Sequence, residues 1–278
     1  MKRANTRRVI VLEPAPLRGL NALAPPYAVE EPVPWEELES VVRGAPPSAV
    51  VLVDPYAGER PGEQFPRLHE LLRRFPSLTV VAALELRSES VGDVLTLLEW
   101  GVAEVIDRET EASPRAVHAR LRQAHARPFK RKLEAALSPY ASSDARNLLL
   151  GAAEVAVEGG GAPELARVLR IAPRTLTGRC ARADLPAPRQ VQAWMRILLA
   201  CMLLDDPGRT VYAAAYACGY STDRSLRRAV GTLLGTDTTT LRQGSAFAKA
   251  AQAFNDVLRE LREAGRERRR AERALREA

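Results

Sequence analysis

Two observations predict an α/β domain followed by an all-α domain, and a third separates the two by charge. Short β-branched runs alternate with stretches of helical apolar spacing through residues 1–127, the pattern of a parallel sheet wrapped by helices. From Ala162 onward no strand pattern occurs and the helical period dominates. The net charge of +7 comes entirely from the later part of the chain. Residues 161–244 hold twelve arginines against six acids, residues 245–278 hold nine bases against six acids, and residues 1–160 come to −2.

Within residues 1–127, Arg8–Leu12 reads as a buried strand and Pro16–Leu23 as a weak helix. Tyr27–Glu30 is a short second strand, and Trp35–Arg43 has helical apolar spacing. Ala49–Val53 (AVVLV) is the clearest strand. Phe65–Phe75 places Phe65, Leu68, Leu71, Leu72 and Phe75 on one helical face. Leu78–Ala83 is the fourth strand, Val91–Trp100 a helix, Glu104–Ile106 the fifth strand and Pro114–Ala126 a closing helix. Five strands alternating with five helices fit a flavodoxin-like, doubly wound sheet.

On these elements the first domain resembles the receiver domains of response regulators. Asp54, directly after AVVLV, stands where that family carries its phospho-accepting aspartate. Other positions depart from the pattern. The acid pair expected after the first strand to hold Mg²⁺ is reduced to Glu13 followed by Pro14. The family's Thr or Ser after strand four is replaced within Ala82-Ala83-Leu84, and its Lys after strand five by Arg108. Glu13 and Asp54 form at best a weak metal pair, while an arginine at 108 can neutralise Asp54 directly. The expectation is therefore a pseudo-receiver with Asp54 as a candidate phospho-acceptor. Asp54 also reads as a plain strand-end residue opening the Asp54-Pro55 turn.

A helical connector, residues 128–160, follows, with helices at Lys130–Ala136 and Ala145–Val157. Gly159-Gly160-Gly161 closes it, read as a C-cap and hinge that marks a domain boundary. Beyond it come short helices at Pro163–Leu169 and Pro173–Ala183, the second opened by Pro173 at a position where no amide is missed. Leu176 and Cys180 face inward there, leaving Arg174, Thr175, Thr177 and Gly178 outward, with Arg179 beside them. A long apolar helix, Gln190–Leu204, ends at Asp205-Asp206-Pro207-Gly208. Thr210 caps Val211–Cys218, Gly219 turns, and Asp223–Leu234 presents Arg224, Ser225, Arg227 and Arg228 away from Leu226 and Val230. Two short helices joined by a tight turn, used twice, are helix-turn-helix geometry.

Residues 161–244 resemble the DNA-binding domain of AraC-type transcription regulators, two helix-turn-helix units joined by one long helix. Leu165-Ala166 and Ala172-Pro173-Arg174-x-Leu176 match its first unit. Arg196-Ile197-x-x-Ala200-x-x-Leu203-Leu204 matches the linker helix. Thr210-Val211-x-x-Ala214-Ala215-x-x-Cys218-Gly219-Tyr220-Ser221 matches the second unit, with Tyr220 where the family has Phe. Aliphatics replace its aromatic core positions at Leu226, Val230 and Leu234, and Gly178 stands where a base-reading side chain is usual. The resemblance implies double-stranded DNA as partner, read by Arg174, Thr175, Thr177, Arg179, Arg224, Ser225, Arg227 and Arg228. It also implies a homodimer, with RNA polymerase as a further partner.

Residues 245–278 extend as a basic helix, apolar on one stripe (Phe247, Ala250, Phe254, Val257, Leu258, Leu261) and all charge from Arg266 to Arg270. It reads as a solvated helix, a packing or dimer helix, or a source of extra phosphate contacts. No apolar run reaches the ~20 residues that span a bilayer, and the start of the chain lacks a signal-peptide core. Cys180, Cys201 and Cys218 form no CxxC pair and read as buried small hydrophobes of a reducing cytoplasm. With no nucleophile–base pair, metal-ligand cluster or GxGxxG, neither an enzyme nor a cofactor is expected. The leading expectation is a cytoplasmic, sequence-specific DNA-binding transcription regulator. The alternative is an architectural or protein-interaction protein that binds DNA without discrimination.

Overall fold

A computed structural model describes residues 6–57, 64–87, 90–139 and 141–277. It divides into two compact units, residues 1–128 with 205–213, and residues 129–204 with 214–278.

The first unit holds a five-stranded sheet, β1 (Arg7–Val11), β2 (Tyr27–Val29), β3 (Val50–Val53), β4 (Thr79–Leu84) and β5 (Glu104–Asp107). Every pairing is parallel and the order is β2-β1-β3-β4-β5. β3 is apolar at every position, and β4 at every position after Thr79, because both sheet faces are covered. Ile10, Val51, Val53, Val80 and Ala82 point into one core with α1 (Trp35–Gly44), α2 (Gln64–Arg74) and α3 (Val91–Trp100). Their neighbours Val9, Val11, Val50, Leu52 and Val81 point into the other, closed by Val117, Leu121 and Ala124 of α4 (Pro114–Ala124). The helix expected over Pro16–Leu23 is only a 3-10 turn, Leu20–Ala22, because Gly19 just before it takes a left-handed φ of 73°.

The second unit is all helix: α5 (Arg127–Ala136), which begins at the unit boundary, α6 (Ser143–Val157), α7 (Ala162–Val168), α8 (Pro173–Arg182), α9 (Pro188–Leu204), α10 (Val211–Ala217), α11 (Asp223–Leu234), α12 (Thr238–Leu241) and α13 (Ala246–Glu277). Buried residues lie all around α9, so it is the central helix, packed by α6 and α13. Trp194 meets Phe254 of α13 at 5.2 Å between ring centres. Asn255 Nδ2 donates to the Ala136 carbonyl at 2.8 Å and its Oδ1 accepts from the Ser138 amide at 3.1 Å, which closes the end of α5.

The connector is thus part of this unit and not a separate segment, since α6 buries seven residues, among them Leu148, Leu149 and Ala152. For the same reason Gly159–Gly161 is a packed C-cap inside the unit, not a boundary. Gly159 takes a φ of 67°, the Gly160 amide donates to Val155 O at 2.8 Å, and a Cβ on Gly160 would stand 2.7 Å from Val155 Cγ1.

Asp205–Ala213, which leaves α9 and begins α10, belongs to the first unit. Asp206 there accepts from the Ser77 amide at 3.2 Å and also from the Ser77 hydroxyl. Arg209 donates to the Ala45 carbonyl at 2.7 Å and pairs with Asp206 at 3.4 Å. Both side chains are buried, and burial pushes the Asp206 carboxyl above the usual carboxylate range despite these partners.

Candidate nucleic-acid interface

The two helix pairs are built alike. In the first, Leu165 and Ala166 of α7 are buried with Leu176 and Cys180 of α8. In the second, Ala214 and Ala215 of α10 are buried with Leu226 and Val230 of α11. Both turns close with an amide reaching back five residues, Ile171 to Ala166 O at 3.0 Å and Tyr220 to Ala215 O at 2.9 Å. In each, the preceding residue is left-handed, Arg170 at φ 54° and Gly219 at φ 75°. The entry to the second of each helix pair differs. Pro173 opens α8 after Ala172, whereas Thr222 and Ser225 cap α11 reciprocally, with the Ser225 amide donating to Thr222 Oγ1 at 3.1 Å and the Thr222 amide to Ser225 Oγ at 3.2 Å.

Matching Leu176 to Leu226 and Cys180 to Val230 puts Arg174 opposite Arg224 in the repeat, and Gly178 opposite Arg228. All three arginines are exposed on the face turned away from the buried pair. Arg224 and Arg228 sit one turn apart, about 6 Å along the helix. The vacancy expected at Gly178 is partly filled: Arg182 Nη1 lies 3.6 Å from where a Cβ would stand. Arg182, exposed at the last position of α8, lies outside the expected set, although its i+4 spacing from Gly178 is the signal that places it over the glycine.

Several expected contact residues are held by the protein itself. Arg179 pairs with Asp144 of α6. Arg227 donates to Thr238 Oγ1 at 2.9 Å and lies 3.5 Å from Asp223, so it fixes α12 against α11. The Ser225 hydroxyl is occupied in the α11 cap, where it also donates to Thr222 O at 2.6 Å. Thr177 Oγ1 donates to Pro173 O at 3.2 Å, while Thr175 remains exposed. The outward cationic set is therefore Arg174, Arg182, Arg224 and Arg228. Arg196, matched to the linker signature, is inward: it donates to the Gly160 carbonyl at 2.8 Å.

In the first unit, Asp54 sits at the end of β3 and pairs with Arg108 through Oδ2, while Oδ1 accepts from the Tyr56 amide at 2.9 Å. The Tyr56 hydroxyl donates to Asp93 at 2.6 Å, and burial together with this bond pushes the phenol above its ordinary value. Glu13 is exposed. Among the described residues no group of three or more His, Cys, Asp or Glu is placed to hold a metal ion. No helix there is long and apolar enough to cross a membrane.

Neither the known family models nor the curated proteins include one that matches this chain.

Proposed function

We propose that this chain is a DNA-binding protein in which α8 and α11 are the recognition helices of two helix-turn-helix units, as in the AraC-type domains it resembles. The observation that carries the reading is the repeat itself: the same turn, the same buried pairs, and Arg174 and Arg224 at equivalent outward positions. An arginine at such a position can reach guanine O6 and N7 bidentately in the major groove or pair with phosphates. The surrounding net positive charge supplies affinity for the polyanion whatever its sequence.

In this reading the chain is a transcription regulator and the first unit a flavodoxin-like pseudo-receiver. The Asp54–Arg108 pair supports that part, because the guanidinium gives Asp54 the positive partner that an activated receiver would otherwise draw from its metal and lysine. The first unit then works through shape and contact, not through phosphoryl transfer.

The test is selection of bound duplexes from a random pool, followed by affinity measurements on the selected and scrambled sequences at several salt concentrations. A regulator binds the selected duplex at least ~10³-fold more tightly. Equal affinities, with the same salt dependence, favour the architectural reading instead.

A further inference from the structure

The last five turns of α13 carry a charge arrangement that the two helix-turn-helix units do not account for. At about 100° per residue, Arg259, Arg262, Arg266, Arg269, Arg270 and Arg273 fall within an arc of roughly 100° on one flank. Glu260, Glu263 and Glu267 lie together on the next flank. The arginines follow one another at i+3 and i+4, so most of their neighbours along the helix are other arginines. Such like-charged neighbours destabilise a helix in isolation. Arg266, Arg270 and Arg273 are exposed, and Arg266 and Arg270 pair with no acid among the described residues. A stripe assembled against its own repulsion suits a polyanion that would relieve it.

The stripe is also held in place. Gly265 is buried against Asp184, which stands two residues beyond the end of α8, and a Cβ there would lie 2.2 Å from Asp184 Oδ1. Arg269 grips the same carboxylate with both terminal nitrogens, at 3.0 and 2.9 Å. Asp184 takes a left-handed φ of 53°, a conformation uncommon for a residue with a side chain. A missing side chain, a two-pronged ion pair and an unusual backbone thus converge on one contact. That contact fixes the basic half of α13 beside the C-terminal end of the first recognition helix. Arg259 to Arg273 spans about 21 Å of helix, long enough to follow several phosphates.

We infer that this flank of α13 is a third DNA-binding element, which clamps the phosphodiester backbone of duplex DNA through Arg266, Arg270 and Arg273 without reading bases. The inference rests on the DNA-binding reading of α8 and α11, and it concerns backbone affinity and not sequence choice. Asp184 and Arg269 are its positioning residues.

The test compares the full chain with R266Q/R270Q/R273Q on a long duplex of arbitrary sequence and on a short one, across a salt series. Removing three phosphate contacts lowers the slope of log K against log salt by about 2.7 on the long duplex. On the short duplex, which the tail overhangs, the slope changes less. The triple lysine variant keeps the wild-type slope, and unchanged helix content by circular dichroism shows that the glutamine variant is folded. Coincident slopes for wild type and glutamine variant on the long duplex overturn the clamp, while R224Q/R228Q still weakening binding leaves the recognition helices standing. Absence of duplex binding by the wild type at every salt concentration overturns both readings. Arginine-dependent binding to anionic lipid vesicles, with duplex binding unaffected, assigns the stripe to a membrane surface and also overturns the clamp.

Discussion

Replacing Gly265 with alanine should reverse the usual effect of that substitution in a helix. In a helix interior, glycine to alanine stabilises by about 1 kcal/mol through backbone entropy. Gly178 in α8 and Gly231 in α11 are free to show that gain, because the nearest atoms to an added Cβ lie at 3.6 and 3.9 Å, ordinary contact. At Gly265 the added carbon meets Asp184 Oδ1 at 2.2 Å and Cγ at 2.9 Å, so one side must move by more than an ångström. Asp184 cannot step aside without releasing Arg269, and moving α13 disturbs its packing. Forcing a methyl into such a contact costs about 1–3 kcal/mol. The net expectation for G265A is a change between zero and a loss of about 2 kcal/mol, against gains of about 1 kcal/mol for G178A and G231A.

Adding D184G, which removes the clash and suits the left-handed backbone, should return the alanine gain, giving a coupling of about 1–3 kcal/mol in the double-mutant cycle. The assay is urea unfolding followed by Trp194 fluorescence in a W35F/W100F background, since the other two tryptophans lie in the first unit and the units need not unfold together. A G265A variant that gains as much stability as G178A would refute the close contact and the placement of the tail built on it.

Other consequences are simpler to measure. R170G should stabilise the second unit by about 1 kcal/mol and G219A destabilise it by at least as much, because both positions hold left-handed φ in equivalent turns; like effects of either sign would show that the turns differ. The folded first unit holds the Asp206 proton more tightly than the unfolded chain does. Its stability should therefore fall as pH rises from the ordinary value of 3.8 through the raised folded value, and D206N should flatten that fall in pH-dependent unfolding. R209M should cost about 3–5 kcal/mol above that range, since it leaves a buried carboxylate without its cation; a neutral result would mean that Asp206 stays protonated. All three cysteines are buried, and burial pushes the thiols of Cys180 and Cys218 up, so alkylation at neutral pH should wait for unfolding. A thiol that reacts rapidly in the native protein would contradict the packing of α8, α9 or α10.

The elements were legible in the sequence wherever burial imposes a period. β3 and β4 had to be apolar on both faces, and α3 and α11 begin and end at the residues expected from spacing and caps. The short α12 was not legible, since Thr238–Leu241 is poor helix material. It forms because Asp237 accepts from the Thr239 and Thr240 amides, which also draws its carboxyl down to about 2. Asp205-Asp206-Pro207-Gly208 reads only as the end of the long helix, and tertiary structure alone buries Asp206 and Arg209.

Outward direction was legible for α8 and α11, but availability was not. Periodicity leaves Arg179 and Arg227 on the flanks of α8 and α11 without revealing that Asp144 and Thr238 hold them. Arg182 is the converse case: it stands one turn beyond Gly178 on the same outward face, and its side chain, leaning toward the helix start, carries the guanidinium over the glycine.

Hydroxyl-radical footprinting on a selected duplex tests the two-helix reading of DNA most directly. Two protected segments about 10 base pairs apart are expected, one for α8 and one for α11, with R224Q/R228Q erasing one and sparing the other, and with any further backbone protection from α13 lost only in R266Q/R270Q/R273Q. A single protected segment, or two that vanish together in R224Q/R228Q, would contradict that reading.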